Sequence, residues 1–97
     1  MTPHLSNDDI MYLRELALPG NEVVSAIIEE VSAETGLQPA QIRGHRRTPV
    51  IVGARWMVMN HARKRGLSLE CIGACLGLDH STVAHGIARE KQRRGEV

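Results

Sequence analysis

Apolar residues recur along this chain at spacings of three and four, the pattern of helices that bury one side. The first stripe is Ile10, Met11, Leu13, Leu16 and Ala17. It follows Leu5-Ser6-Asn7-Asp8-Asp9, which supplies a hydrophobic residue, a capping side chain and acids for a first turn, so a helix is expected over about residues 7–18. Pro19-Gly20-Asn21 breaks it. Asn21 is expected to cap a second helix carrying Val23, Val24, Ile27, Ile28 and Val31, which Gly36 ends near Thr35. Leu37 to Ile42, with Pro39, has room for one short turn of helix. Residues 43–49, RGHRRTP, are too short and too polar for core and are expected to form an exposed basic loop.

Pro49 suits the first turn of a long helix reaching about Arg65. Its pattern puts Ile51, Ala54, Val58 and Ala62 inward and leaves Arg55, Arg63, Lys64 and Arg65 outside. Gly66 is placed to stop it. Ser68 is expected to cap a short helix to about Leu76, Gly77 to turn the chain, and Asp79 to cap a last helix to about Arg93. There is no internal repeat or low-complexity segment.

With 97 residues the chain is read as one domain, residues 1–97, whose small size requires an economical core. Trp56 and Tyr12 are its only aromatic residues apart from histidine, and β-branched runs are short, which favours an all-α fold of about five helices. No apolar run approaches the ~18 residues of a spanning helix, and the N-terminus lacks the layout of a signal peptide. A soluble, cytoplasmic protein without a membrane partner is expected. Cys71 and Cys75 lie one helical turn apart and read as small core residues.

Charge divides the chain more sharply than its total of +1 implies: residues 1–40 carry net −6 and residues 41–97 net +7. Such a chain can present a basic face to a polyanion while its overall balance stays near neutral.

The densest candidate chemistry is GLDHSTVAHGIARE, Gly77 to Glu90. In a helix-turn-helix two short helices cross around a tight turn, which needs a small residue at the contact, glycine at the turn and apolar residues in the wedge. Leu69, Ile72, Gly73, Leu76, Gly77, Leu78, Val83 and Ile87 fill those slots. Asp79, His80, Ser81, Thr82 and His85 are left over at the exposed start of the second helix, the end that enters a major groove in such motifs. Their donors and acceptors suit base edges, and a helix N-terminus favours phosphate.

Two other chemistries use the same residue types. A metal site would have to group Cys71, Cys75, His80 and His85, but core-facing thiols leave the histidines outside. Ser81 or Thr82 with His85 and Asp79 has the composition of a catalytic triad, yet all lie on one exposed turn without a pocket or oxyanion hole. Neither an enzyme nor a metal or organic cofactor is expected. There is also no G-x-x-x-x-G-K-[ST] run, so no nucleotide is expected as a partner.

The stretch LSLECIGACLGLDHSTVAHGIARE resembles the carboxy-terminal DNA-binding domain of the bacterial replication initiator DnaA, whose signature runs close to G-R-D-H-[ST]-T-V-x-H. Asp79, His80, Ser81, Thr82, Val83 and His85 match in unbroken register. RGHRR falls at that family's basic loop, and Ala54-Arg55 followed by Met57 and Met59 at its A-R-Q-x-A-M-like helix. The likeness covers residues 22–94, with the helix-turn-helix at 68–93, and implies a compact helical fold like that of the DnaA carboxy-terminal domain and the Trp repressor. A stand-alone domain, without the AAA+ module of full initiators, is expected.

The resemblance implies double-stranded DNA as partner and roles for single residues. Arg47 matches the loop arginine that enters the minor groove of a TTATCCACA-like box. Asp79, His80, Ser81, Thr82 and His85 match positions at the major groove, and Arg46, Arg55, Arg63 and Lys64 are candidate contacts to the DNA backbone. The chain departs from the pattern at Leu78, where arginine is usual, at Trp56, where glutamine is common, and at Gly53, where some members are basic. The expected function is sequence-specific DNA binding in the regulation of replication initiation, in a bacterium or phage. A small transcriptional regulator, or a protein-interaction module that kept the fold, would carry many of the same features. The helix at 7–18 lies outside the likeness; its apolar side either covers the helices behind it or joins a second copy or another protein.

Overall fold

The computed structural model describes residues 19–96; the helix expected at 7–18 lies outside them. The described chain forms five helices: α1 (Asn21–Thr35), α2 (Pro39–Arg43), α3 (Pro49–Lys64), α4 (Leu69–Leu76) and α5 (His80–Arg94). No strand occurs among the described residues, as the helical periodicity led us to expect. None of the described helices is long and apolar enough to cross a membrane.

The inward stripes agree with the spacing. Val24, Ile27, Ile28 and Val31 of α1 are buried and meet Ala54, Val58 and Ala62 of α3 in a single core, which Ile42, Ile72, Val83 and Ile87 complete. α3 is the central element, packed most extensively against α5 and then α1.

One capping expectation is corrected. Asn21 does not cap α1 but is its first residue, buried, with its Oδ1 unpartnered. The capping position belongs to Gly20 at φ 78°, a left-handed conformation that glycine adopts without the Cβ clash. Gly20 also sits tightly under the next layer, where a Cβ would come within 2.8 Å of Cys71 Sγ. The chain therefore turns one residue earlier than the side-chain chemistry of Asn21 implies.

The helix-turn-helix forms as read. Ser68 Oγ accepts from the Cys71 amide at 3.1 Å and starts α4. Gly77, at φ 68°, turns the chain, and the Leu78 amide donates to the Gly73 carbonyl at 2.8 Å. A Cβ on Gly73 would lie 2.4 Å from Leu78 O, so the crossing of α4 and the turn requires glycine there.

Contacts between α3 and α5 fix their relative direction. Trp56 meets His85 and Gly86, Arg94 Nη2 lies 3.3 Å from His61 Nε2, and Lys64 Nζ bonds Glu96 at 2.7 Å. Residues thus pair in ascending order along both helices, which run side by side in the same sense. Their N-termini lie at one end of the molecule.

Candidate nucleic-acid interface

Asp79 starts α5: its carboxylate accepts from the Ser81 amide at 3.1 Å and from the Ser81 hydroxyl. These two bonds, aided by His80, hold its carboxyl below the usual range. His80 Nδ1 stands 3.4 Å from the other carboxylate oxygen. A short polar chain, His80–Asp79–Ser81, thereby orders the exposed first turn. His80, Ser81, Thr82 and His85 are all exposed, while Val83 and Ile87 take the core.

The basic loop approaches the same end, because α3 begins where the loop stops. His45, Arg46, Arg47 and Thr48 are exposed. Arg43, grouped with the loop on sequence, is different: it closes α2 and donates to Ser25 Oγ at 2.8 Å and to the Cys75 carbonyl at 3.3 Å. It fastens α2 to α1 and α4.

A groove of about 310 Å³ runs between the loop and α5. Arg47 and Arg55, Thr82 and His85 line it together with Val52, Trp56 and Leu78. Residues 27 to 38 positions apart in sequence are brought to one concave strip.

Arg55 differs from expectation. It is half-buried rather than outside, its Nε donates to the Ile42 carbonyl at 2.8 Å, and one terminal nitrogen is buried without a partner. Burial pulls its proton affinity down from the usual value for arginine. The helical stripe placed it at the border of the inward side, and the end of α2 folds over it.

Arg63 and Lys64 also depart from a free outward row. Arg63 is exposed, but one nitrogen donates to the Leu67 carbonyl at 3.0 Å. Lys64 is held by Glu96, and neighbouring Arg65 by Glu30 at 2.9 Å. At 1.5 Å per residue, Arg63 stands about 12 Å along α3 from Arg55, toward the end away from the loop.

The thiols of Cys71 and Cys75 both donate to the Pro19 carbonyl, at 2.8 and 3.5 Å. Burial pushes the Cys75 thiol up to about 11, so it stays protonated. Among the described residues no group of three or more His, Cys, Asp or Glu is arranged to hold a metal ion.

Two features of this end and its flank were missed on sequence. Trp56 lies edge-on to His85, with ring centroids 6.4 Å apart and planes at 81°, and carries the Arg89 guanidinium 5.8 Å from its ring centroid. The available signal was Gly86, the residue on α5 small enough to let the indole in. Glu90, given no role on sequence, is fully buried and gripped by Arg93 and Arg94. Its place on the Val83–Ile87 stripe was the clue.

A comparison with protein families matches residues 24–89 to the family described as the bacterial DnaA protein helix-turn-helix. No solved structure matches the chain.

Proposed function

This chain belongs to the bacterial DnaA helix-turn-helix family, a family of DNA-binding modules, and from that premise we propose that it binds double-stranded DNA with sequence preference at DnaA-box-like sites, in the regulation of replication initiation. The observation that carries this reading is the shared end of α3 and α5. There Thr82 in the first turn of α5 and the loop's Arg47, which has no carboxylate partner among the described residues, line one groove. Two helix N-termini add their positive ends, which favour phosphate.

In this mechanism α5 lies in the major groove, where His80, Thr82 and His85 meet base edges. Asp79 and Ser81 have a double task. Their mutual hydrogen bonds build the turn, and the acceptor sites they leave over face the DNA. Arg47 reaches the adjacent minor groove. Arg46, the remaining terminal nitrogen of Arg55 and the more distant Arg63 neutralise phosphates and set the register. Lys64 joins them only by leaving Glu96.

Selection from a pool of random duplexes tests the reading. Recovery of sequences close to TTATCCACA is the expected result, whereas an unrelated palindrome would point to a dimeric transcription factor. Failure of the unmodified protein to bind any duplex at low salt would overturn DNA binding altogether.

A further inference from the structure

We propose that Trp56, His85 and Arg89 work as one unit that extends the DNA contact a full turn along α5: Arg89 binds a DNA phosphate, and Trp56 is the positioning residue for both His85 and Arg89. The inference rests on the DNA-binding reading above and adds to it a phosphate contact and a determinant of base preference.

Three observations carry it. His85 and Arg89 are four residues apart on α5 and therefore share a side, about 6 Å apart along the axis. Both are exposed, and Trp56 lies against both, its ring nearly perpendicular to that of His85 and its face under the Arg89 guanidinium. Arg89 has no carboxylate partner among the described residues, whereas Arg93 and Arg94 on the same helix are bound to Glu90 and Lys64 and Arg65 to Glu96 and Glu30. Arg89 is thus a cation held on an aromatic surface rather than neutralised, which limits its freedom while leaving its charge for an anion.

The seat of Trp56 is specific to its shape. A Cβ on Gly86 would come within 2.7 Å of the indole Cδ1 and 2.4 Å of Met59 Sδ, so the ring lies flush against the α5 backbone. From there it lines the groove beside Arg47 and Thr82. An indole fixed at that height keeps the His85 ring from rotating away from the groove, and its outer face supports Arg89. A non-aromatic side chain at 56 would supply neither contact.

The experiment measures binding of the full chain to a short duplex carrying TTATCCACA, and to a scrambled duplex, across a salt series. Arg89→Ala is expected to weaken both duplexes alike and to lower the salt slope by about one. Trp56→Leu is expected to lower the slope similarly and to reduce discrimination between the duplexes by about fivefold or more, the equivalent of one base contact. Trp56→Phe should retain both properties. In the Trp56→Leu background, Arg89→Ala should have a smaller effect than in the unmodified chain. Because Trp56 is the sole tryptophan, its emission should change along the binding isotherm.

If the unmodified chain binds and Arg89→Ala leaves the slope unchanged, the phosphate contact is wrong while the DNA-binding reading stands. A slope lowered by Arg89→Ala but untouched by a folded Trp56→Leu protein removes Trp56 from the unit. Absence of binding by the unmodified chain overturns both proposals. Arg89 is a surface position, so its variant remains informative should Trp56→Leu fail to fold.

Discussion

Single atoms decide several of these assignments. Arg47 is exposed beside the groove and has no ion-pair partner among the described residues. Arg47→Ala should cost about 1–3 kcal/mol of DNA affinity and shift base preference, as read by titrating a panel of single-base variants of the selected site. The glycines offer an opposed pair of outcomes in stability. Gly73→Ala places a Cβ against the Leu78 carbonyl, a backbone atom that cannot swing aside, and should destabilise the fold by about 1–3 kcal/mol in urea titrations. Gly53, within α3, has nothing within 4 Å of its would-be Cβ, so Gly53→Ala should stabilise by about 0.5–1 kcal/mol. Both are glycines within helices, but only Gly73 fills the contact slot of the helix-turn-helix that the sequence marks. The difference is the approach of another segment's backbone.

At the scale of elements, α5 combines a polar first turn with a buried acid. Glu90 is fully buried and its carboxylate is met by Arg93 Nε at 2.7 Å and Arg94 Nε at 3.4 Å. Replacing both arginines by methionine should destabilise the protein by about 3 kcal/mol, because the carboxylate would remain inside without a counter-charge. Adding Glu90→Met to that variant should recover most of the loss. Urea denaturation of the three proteins checks the ordering. Most of the helices and the helix-turn-helix were legible in the sequence, since Ser68, Gly73, Gly77 and Asp79 act over a few residues and leave local signatures. Glu90, Arg55 and Arg43 were not. Their surroundings come from other helices, and a charged residue on the border of an apolar stripe looks the same whether a neighbour covers it or water does. Asn21 was misread for a related reason: its side chain suits a cap, but the packing of Gly20 under Cys71 decides where the helix starts. In the candidate site, the polar turn of α5 was visible as a run of matching residues. The indole linking it to Arg89 was not, because that contact depends on how closely α3 approaches Gly86.

Across the whole molecule, charges are sorted by whether they have a partner. At the end where α3 and α5 begin, Arg46 and Arg47 have no carboxylate partner among the described residues, and Arg89 follows farther along α5. At the end where these helices finish, Lys64, Arg65 and Arg93 meet Glu96, Glu30 and Glu90, and Glu34 adds its field at Arg93. With Arg46, Arg55, Arg63 and Arg89 each neutralising one phosphate, the logarithm of the binding constant should fall against the logarithm of salt with a slope of about −4. A slope near zero in a filter-binding or anisotropy series would sink the phosphate assignments together. The Glu30–Arg65 bridge then matters beyond stability. By neutralising Arg65 at the rear while Arg46, Arg47 and Arg89 have no carboxylate partner among the described residues, it biases the charge of the described fold toward the loop end, a polarity that turns the protein while it diffuses. Its first collisions with a duplex should be made loop-first, at a rate that falls steeply as salt is added.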